Sequence, residues 1–133
     1  MSLPRAILGL TAMGFIGFGV AFTLWPEPMA GMTDLRLPSA TARVDFAATY
    51  GGFELGFGSF LLLCLRHPPW VEAGLWGGLL ALSGFAVVRL LSLVSSGTSV
   101  DAVIFVALTL ELSGVLLNGW ALGRVRRSRG SAA

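Results

Sequence analysis

The chain has no lysine, one histidine, one cysteine and one tyrosine, and charged residues make up only 12% of its 133 positions. Without lysine there is no Schiff-base chemistry and no phosphate loop of the kind that needs a lysine after its glycine-rich turn. His67 stands beside Pro68 and Pro69 with no second histidine or cysteine placed to share a metal, so neither a metal site nor a cofactor is expected. Cys64, inside an apolar run, has no second cysteine with which to form an intramolecular disulfide. No serine sits in a nucleophile elbow with a histidine partner, so covalent hydrolase chemistry is excluded and no catalytic residue is assigned. The shortage of charge, against roughly 25% in a soluble domain, excludes an ordinary water-soluble core.

What the chain does have is apolar length. Hydrophobic residues make up 55% of it, mean hydropathy is +0.81, and there are 18 glycines. The net charge of +2 comes from a basic tail: Arg124, Arg126, Arg127 and Arg129 crowd its end. A basic surface for nucleic acid is therefore not expected.

A hydrocarbon layer of ~30 Å is crossed by ~20 helical residues. Four runs of that order occur, at about 6–25, 46–65, 71–94 and 100–123, bounded by proline, charge or turn residues. The first could be mistaken for a signal peptide, but its apolar stretch exceeds the usual ~7–15 residues, so it counts as a span. The expected fold is all-α: one domain over residues 1–133, a polytopic up-down-up-down bundle of four transmembrane helices. Residues 26–45 form an outer loop and 124–133 a cytoplasmic tail. Arg5, Arg66 and the tail arginines then lie on one side and only Arg36 and Arg43 on the other, which puts both termini in the cytoplasm. Ser39, following Pro38, is placed to cap a helix before the second span. Pairs of small residues at four-residue spacing (Gly17 and Ala21, Gly52 and Gly56, Gly74 and Gly78, Gly119 and Gly123) suggest close helix contacts.

Three spans contain ionisable groups: Glu54 in the second, Arg89 in the third and Glu111 in the fourth. A charge at mid-bilayer costs roughly 2.5–3.5 kcal/mol on insertion scales, so these groups are expected to meet. Counted from the outer span ends, Arg89 lies ~8 Å deep, Glu54 ~12 Å and Glu111 ~16 Å, within reach of one arginine bridging both acids. Two acids against one base leave a carboxyl free for a ligand or a proton. Tyr50, one turn from Glu54, and Asn118, two turns from Glu111, extend this into a polar track. The candidate ligand-binding or proton site is thus Glu54, Arg89, Glu111, Tyr50 and Asn118, with a purely structural polar cluster as the competing reading.

The stretch Thr33-Asp34-Leu35, then Pro38, Ala42-Arg43 and Thr49-Tyr50-Gly51-Gly52-Phe53-Glu54-Leu55-Gly56-Phe57-Gly58, with Gly84 to Arg89, resembles domain of unknown function 4345, a family of small bacterial proteins. The resemblance implies a four-helix inner-membrane protein of this length and lends no activity. It also implies a basic residue two positions before Thr49, where this chain has Ala47. In architecture and glycine-rich helices alone the chain is also similar to DoxX-like membrane proteins, some of them associated with quinone or thiol oxidation. The expected protein is a non-enzymatic component of the bacterial inner membrane that binds a lipid, a quinone or a proton at the charged cluster. The alternative is an accessory or scaffold subunit. Its expected partners are membrane lipids and either a larger membrane complex or further copies of itself.

Overall fold

The computed structural model describes residues 2–97 and 99–130, so residues 131–133 of the expected tail lie outside the described residues. Helix α1 (Leu3–Leu24) begins with Pro4 in its first turn, where a missing N–H costs nothing. After Trp25 the expected outer loop folds two short helices, α2 (Pro26–Gly31) and α3 (Ala40–Phe46). Ser39 caps α3 as its place after Pro38 suggests, its hydroxyl oxygen accepting the Ala42 N–H at 3.1 Å. Without a break, α3 passes through a π-helical stretch, Ala47–Gly52, into α4 (Phe53–Arg66). The second span is therefore one helix of 27 residues from Ala40 to Arg66, starting earlier than the apolar run alone suggests.

A single 3-10 turn, Pro68–Trp70, leads into α5 (Val71–Ser96). Gly97 ends α5 at φ +63°, a left-handed conformation that favours glycine, with its N–H donating to the Leu93 carbonyl at 3.1 Å. Helix α6 (Ala102–Gly130) starts at Asp101, whose carboxylate accepts the Ile104 N–H at 2.8 Å. Asp101 is thus the N-cap of α6. Four helical segments, Leu3–Leu24, Ala40–Arg66, Pro68–Ser96 and Ala102–Ser128, are long and apolar enough to cross a membrane.

The four spans form an antiparallel bundle. Helix α1 packs most extensively on α4 and α5 on α6; α4–α5 and α1–α6 contacts complete the ring, and α1 also touches α5 across the diagonal. The near end carries the start of α1, the α4–α5 link and the end of α6. There Arg5 donates to the Leu65 carbonyl at 2.8 Å and Arg126 meets Glu72 at 3.5 Å. The far end carries α2, α3 and the α5–α6 link.

Most of the core lies in the near half, where Leu8, Leu61 and Leu75 are fully buried with Ala12, Cys64, Ala121 and Leu122 around them. Glycines set the closest approaches. A Cβ at Gly19 would stand 2.7 Å from the Leu55 backbone nitrogen, one at Gly58 2.8 Å from Ile16, and one at Gly74 2.7 Å from the Cys64 side chain. Of the expected small-residue pairs, Gly74 and Gly78 lie in such contacts. Gly17, Gly52 and Gly56 do not: nothing comes within 4 Å of their absent Cβ, and they face outward. Bundle contacts on the second span instead use Gly51, Leu55 and Gly58.

Candidate functional site

On α5 the residues turned toward the bundle in the far half are Leu82, Ala86, Arg89 and Leu93, at spacings of three and four along one face. Leu82 seats against Gly114 of α6 and Ala86 is 3% exposed, so the two helices run close enough for Arg89 to meet Glu111. The Arg89 Nε donates to both Glu111 oxygens at 3.1 and 3.2 Å, and Nη2 donates to Oε1 at 2.7 Å. This side-on grip matches the planar guanidinium to the planar carboxylate. The pair is placed about 10 Å in from Ser96 and 13 Å in from Ala102 by helical rise, at a depth where each charge depends on the other.

The two partners are unequally enclosed. Glu111 has a side chain 9% exposed, whereas Arg89 is 34% exposed. The Nη1 group of Arg89 has no partner among the described residues. Arg89 lines an open groove of about 400 Å³ together with Ser92 and Ser96, with Phe85, Val88, Leu93 and Ile104 as apolar walls. The Ser92 hydroxyl is likewise without a partner among the described residues. The site therefore offers hydrogen-bond donors beside a largely apolar groove, the arrangement that receives a carbonyl or phosphate oxygen attached to a hydrocarbon body.

Glu54 does not join them, which corrects the expected bridge. It has neither a hydrogen bond nor an ion pair among the described residues, and its Cβ faces α1, 3.1 Å from the point where a Cβ of Gly19 would stand. Two physical reasons separate it. The π-helical stretch changes the winding of the helix just before Glu54, and α4 lies against α1 and α5 while Arg89 is turned toward α6. Tyr50 also lies apart, its ring 4.7 Å from Phe46 and 5.8 Å from Phe22 at the far end of the α1–α4 pair.

Asn118 is fully buried in the near half and does structural work. Its amide donates to Thr11 Oγ1 at 3.0 Å and to the Gly114 carbonyl at 2.8 Å, tying α6 to α1. Its Oδ1 lacks a hydrogen-bond donor and rests over Gly78, where a Cβ would come within 3.0 Å. The polar track expected from sequence is therefore three separate features: Arg89 with Glu111, Glu54 and Tyr50 on the α1–α4 pair, and Asn118 with Thr11. Thr11 was not singled out, although a hydroxyl on an apolar span level with a buried amide is the signal that could have found it. Among the described residues no group of three histidine, cysteine or acidic side chains is gathered to hold a metal.

Four antiparallel helices, each long and apolar enough to cross a membrane, define a multi-pass helical membrane protein. The chain belongs to the family described as domain of unknown function (DUF4345), whose model matches residues 3–122. No curated protein and no solved structure matches it.

Proposed function

We propose that the protein is a non-catalytic binding component of the bacterial inner membrane that holds an amphiphile, such as a lipid or a quinone, in the far-half groove of α5 and α6. Arg89 serves as the donor for the ligand's polar end. The observation that carries this reading is the unengaged edge of Arg89: Glu111 occupies Nε and Nη2, Nη1 has no partner among the described residues, and Arg89 lines a largely apolar groove. Glu111 neutralises the guanidinium and fixes its plane, so the ligand need not bring a compensating charge. The test is mass spectrometry of lipids and quinones that copurify with the protein in mild detergent. Ser92→Leu, which fills the groove without touching the ion pair, and Arg89→Gln should both lose a species that the unaltered protein retains. An unchanged complement in Ser92→Leu protein that folds normally rules the groove out.

In this reading the near end faces the cytoplasm, supported by Arg5, Arg66 and the arginines of α6 on that side. A membrane-impermeant maleimide should label Ser39→Cys from outside the cell and Ser128→Cys only after permeabilisation, while the native Cys64, buried, stays silent. The reverse pattern would invert the topology.

One observation favours a second reading, that of an accessory subunit. Gly52 and Gly56 form a smooth outward stripe on the second span that the bundle leaves unused, the kind of surface on which a further membrane helix packs closely. Gly56→Leu should abolish copurification of a partner under that reading and leave the bound amphiphile untouched under the first.

A further inference from the structure

Independently of the far-half groove, we infer that the near end of α6 carries a site for the phosphate of an anionic phospholipid head group, formed by Trp120, Arg124, Arg127 and Ser128. These four residues lie on one face of α6 at spacings of four, three and one, and together line an open concavity of about 460 Å³.

The charge balance of the near end selects this place. Glu72 is the only acidic residue there, and Arg126 engages it at 3.5 Å. Arg5 is turned inward to the Leu65 carbonyl. Arg124 has its guanidinium carbon 4.8 Å over the Trp120 ring, and Arg127 donates through Nε to the Gly123 carbonyl at 3.3 Å. Two guanidinium groups thus border one concavity with no carboxylate between them among the described residues. Two like charges that border one concavity are stabilised by an anion that accepts from both, and a tetrahedral phosphate presents several oxygens to such paired forks.

A lipid rather than free phosphate is the occupant because the floor of the site is an indole. Trp120 is 42% exposed and lies about 10 Å along the axis from Arg127. That distance runs from the phosphate level toward the acyl ester level of a bilayer, where tryptophan partitions. Anionic lipids gather at such basic and aromatic borders.

The experiment is native mass spectrometry of the full chain in detergent, titrated separately with phosphatidylglycerol, phosphatidylcholine and inorganic phosphate. The unaltered protein should retain phosphatidylglycerol about thirtyfold more strongly than phosphatidylcholine, the effect of two cations acting at one place. Arg124→Gln with Arg127→Gln should abolish that preference; the corresponding lysine pair, which keeps the charge and loses the fork, should keep part of it. Arg43→Gln, at the far end, should change nothing. A preference that survives the glutamine pair overturns the site. Full displacement of the lipid by inorganic phosphate, together with indifference to Trp120→Leu, overturns the lipid as its occupant.

Discussion

Removing Arg89 leaves the Glu111 carboxylate enclosed by protein and hydrocarbon, whereas removing Glu111 leaves an arginine that is one-third exposed and long enough to reach toward the head groups. The two losses should therefore be unequal. Arg89→Gln is expected to destabilise the bundle by about 3–5 kcal/mol, and Glu111→Gln by clearly less, measured by unfolding from mild detergent into a denaturing one. Equal losses would mean that the pair is wetter than its geometry implies. On α2, outside the four spans, Glu27 accepts from Arg43 at 3.0 Å, and this hydrogen bond holds its carboxyl below the usual glutamate range. Because the folded value is the lower one, this contribution is present above the unfolded pKa of 4.5 and is lost as pH falls through the depressed value. In Arg43→Ala, the Glu27 resonance should titrate closer to 4.5; an unmoved titration would show that the contact does not persist in solution. At this scale the identity of the ionisable residues was legible in the sequence, and so was the Arg89–Glu111 encounter, because depth along a helix follows from counting residues. The isolation of Glu54 was not legible. Its azimuth depends on helix winding and on which neighbour α4 chooses, and neither is written in residue spacing.

Between elements, the closest contacts depend on where glycine is absolutely required. Gly58 meets Ile16 of α1, whereas Gly56, two positions earlier, meets nothing. Gly58→Ala should cost about 1–3 kcal/mol by forcing α1 and α4 apart. Gly56→Ala should leave stability unchanged or raise it by about 0.5–1 kcal/mol through helix propensity, with both read from the same unfolding assay. A loss at Gly56 comparable to that at Gly58 would imply a packed neighbour at that face. The four spans could be read from sequence because the bilayer fixes their length and composition. Their ends were less legible. Helix α6 runs past Gly123 to Gly130 because arginine is a good helix former and is favoured near a helix C-terminus, so leaving the hydrocarbon does not end the helix. Residues 26–45 looked like a loop because prolines interrupt them. Pro26 and Pro28 in fact open α2, and Ser39 caps α3, since proline is suited to a first turn.

Across the whole molecule, packing is concentrated toward the near end, while the far half is held by α1 against α4 and by α5 against α6. Leu75→Ala, at a fully buried position, should cost about 2–5 kcal/mol, whereas Leu91→Ala, on a face 64% exposed to the surroundings, should cost almost nothing. Comparable losses would show that the exposed far face of α5 is covered by another chain. The membrane class follows from apolar content alone, because lipid imposes the same demand on every residue of a span. Which helix faces which is decided by a few small residues, and eighteen glycines offer many more candidate contacts than the fold uses.

The π-helical stretch between α3 and α4 gives a single unbroken rod two bearings. Above it, Arg43 points toward Glu27 on the short α2; below it, Leu55 and Gly58 lie along α1. Deleting Ala47 should restore regular winding and turn one portion only slightly relative to the other, because a π turn holds one residue more than an α turn. The rod could then keep both its grip on α1 and its clasp with α2, so the six wider-wound residues absorb one extra residue between the apolar bundle and its cap of short helices.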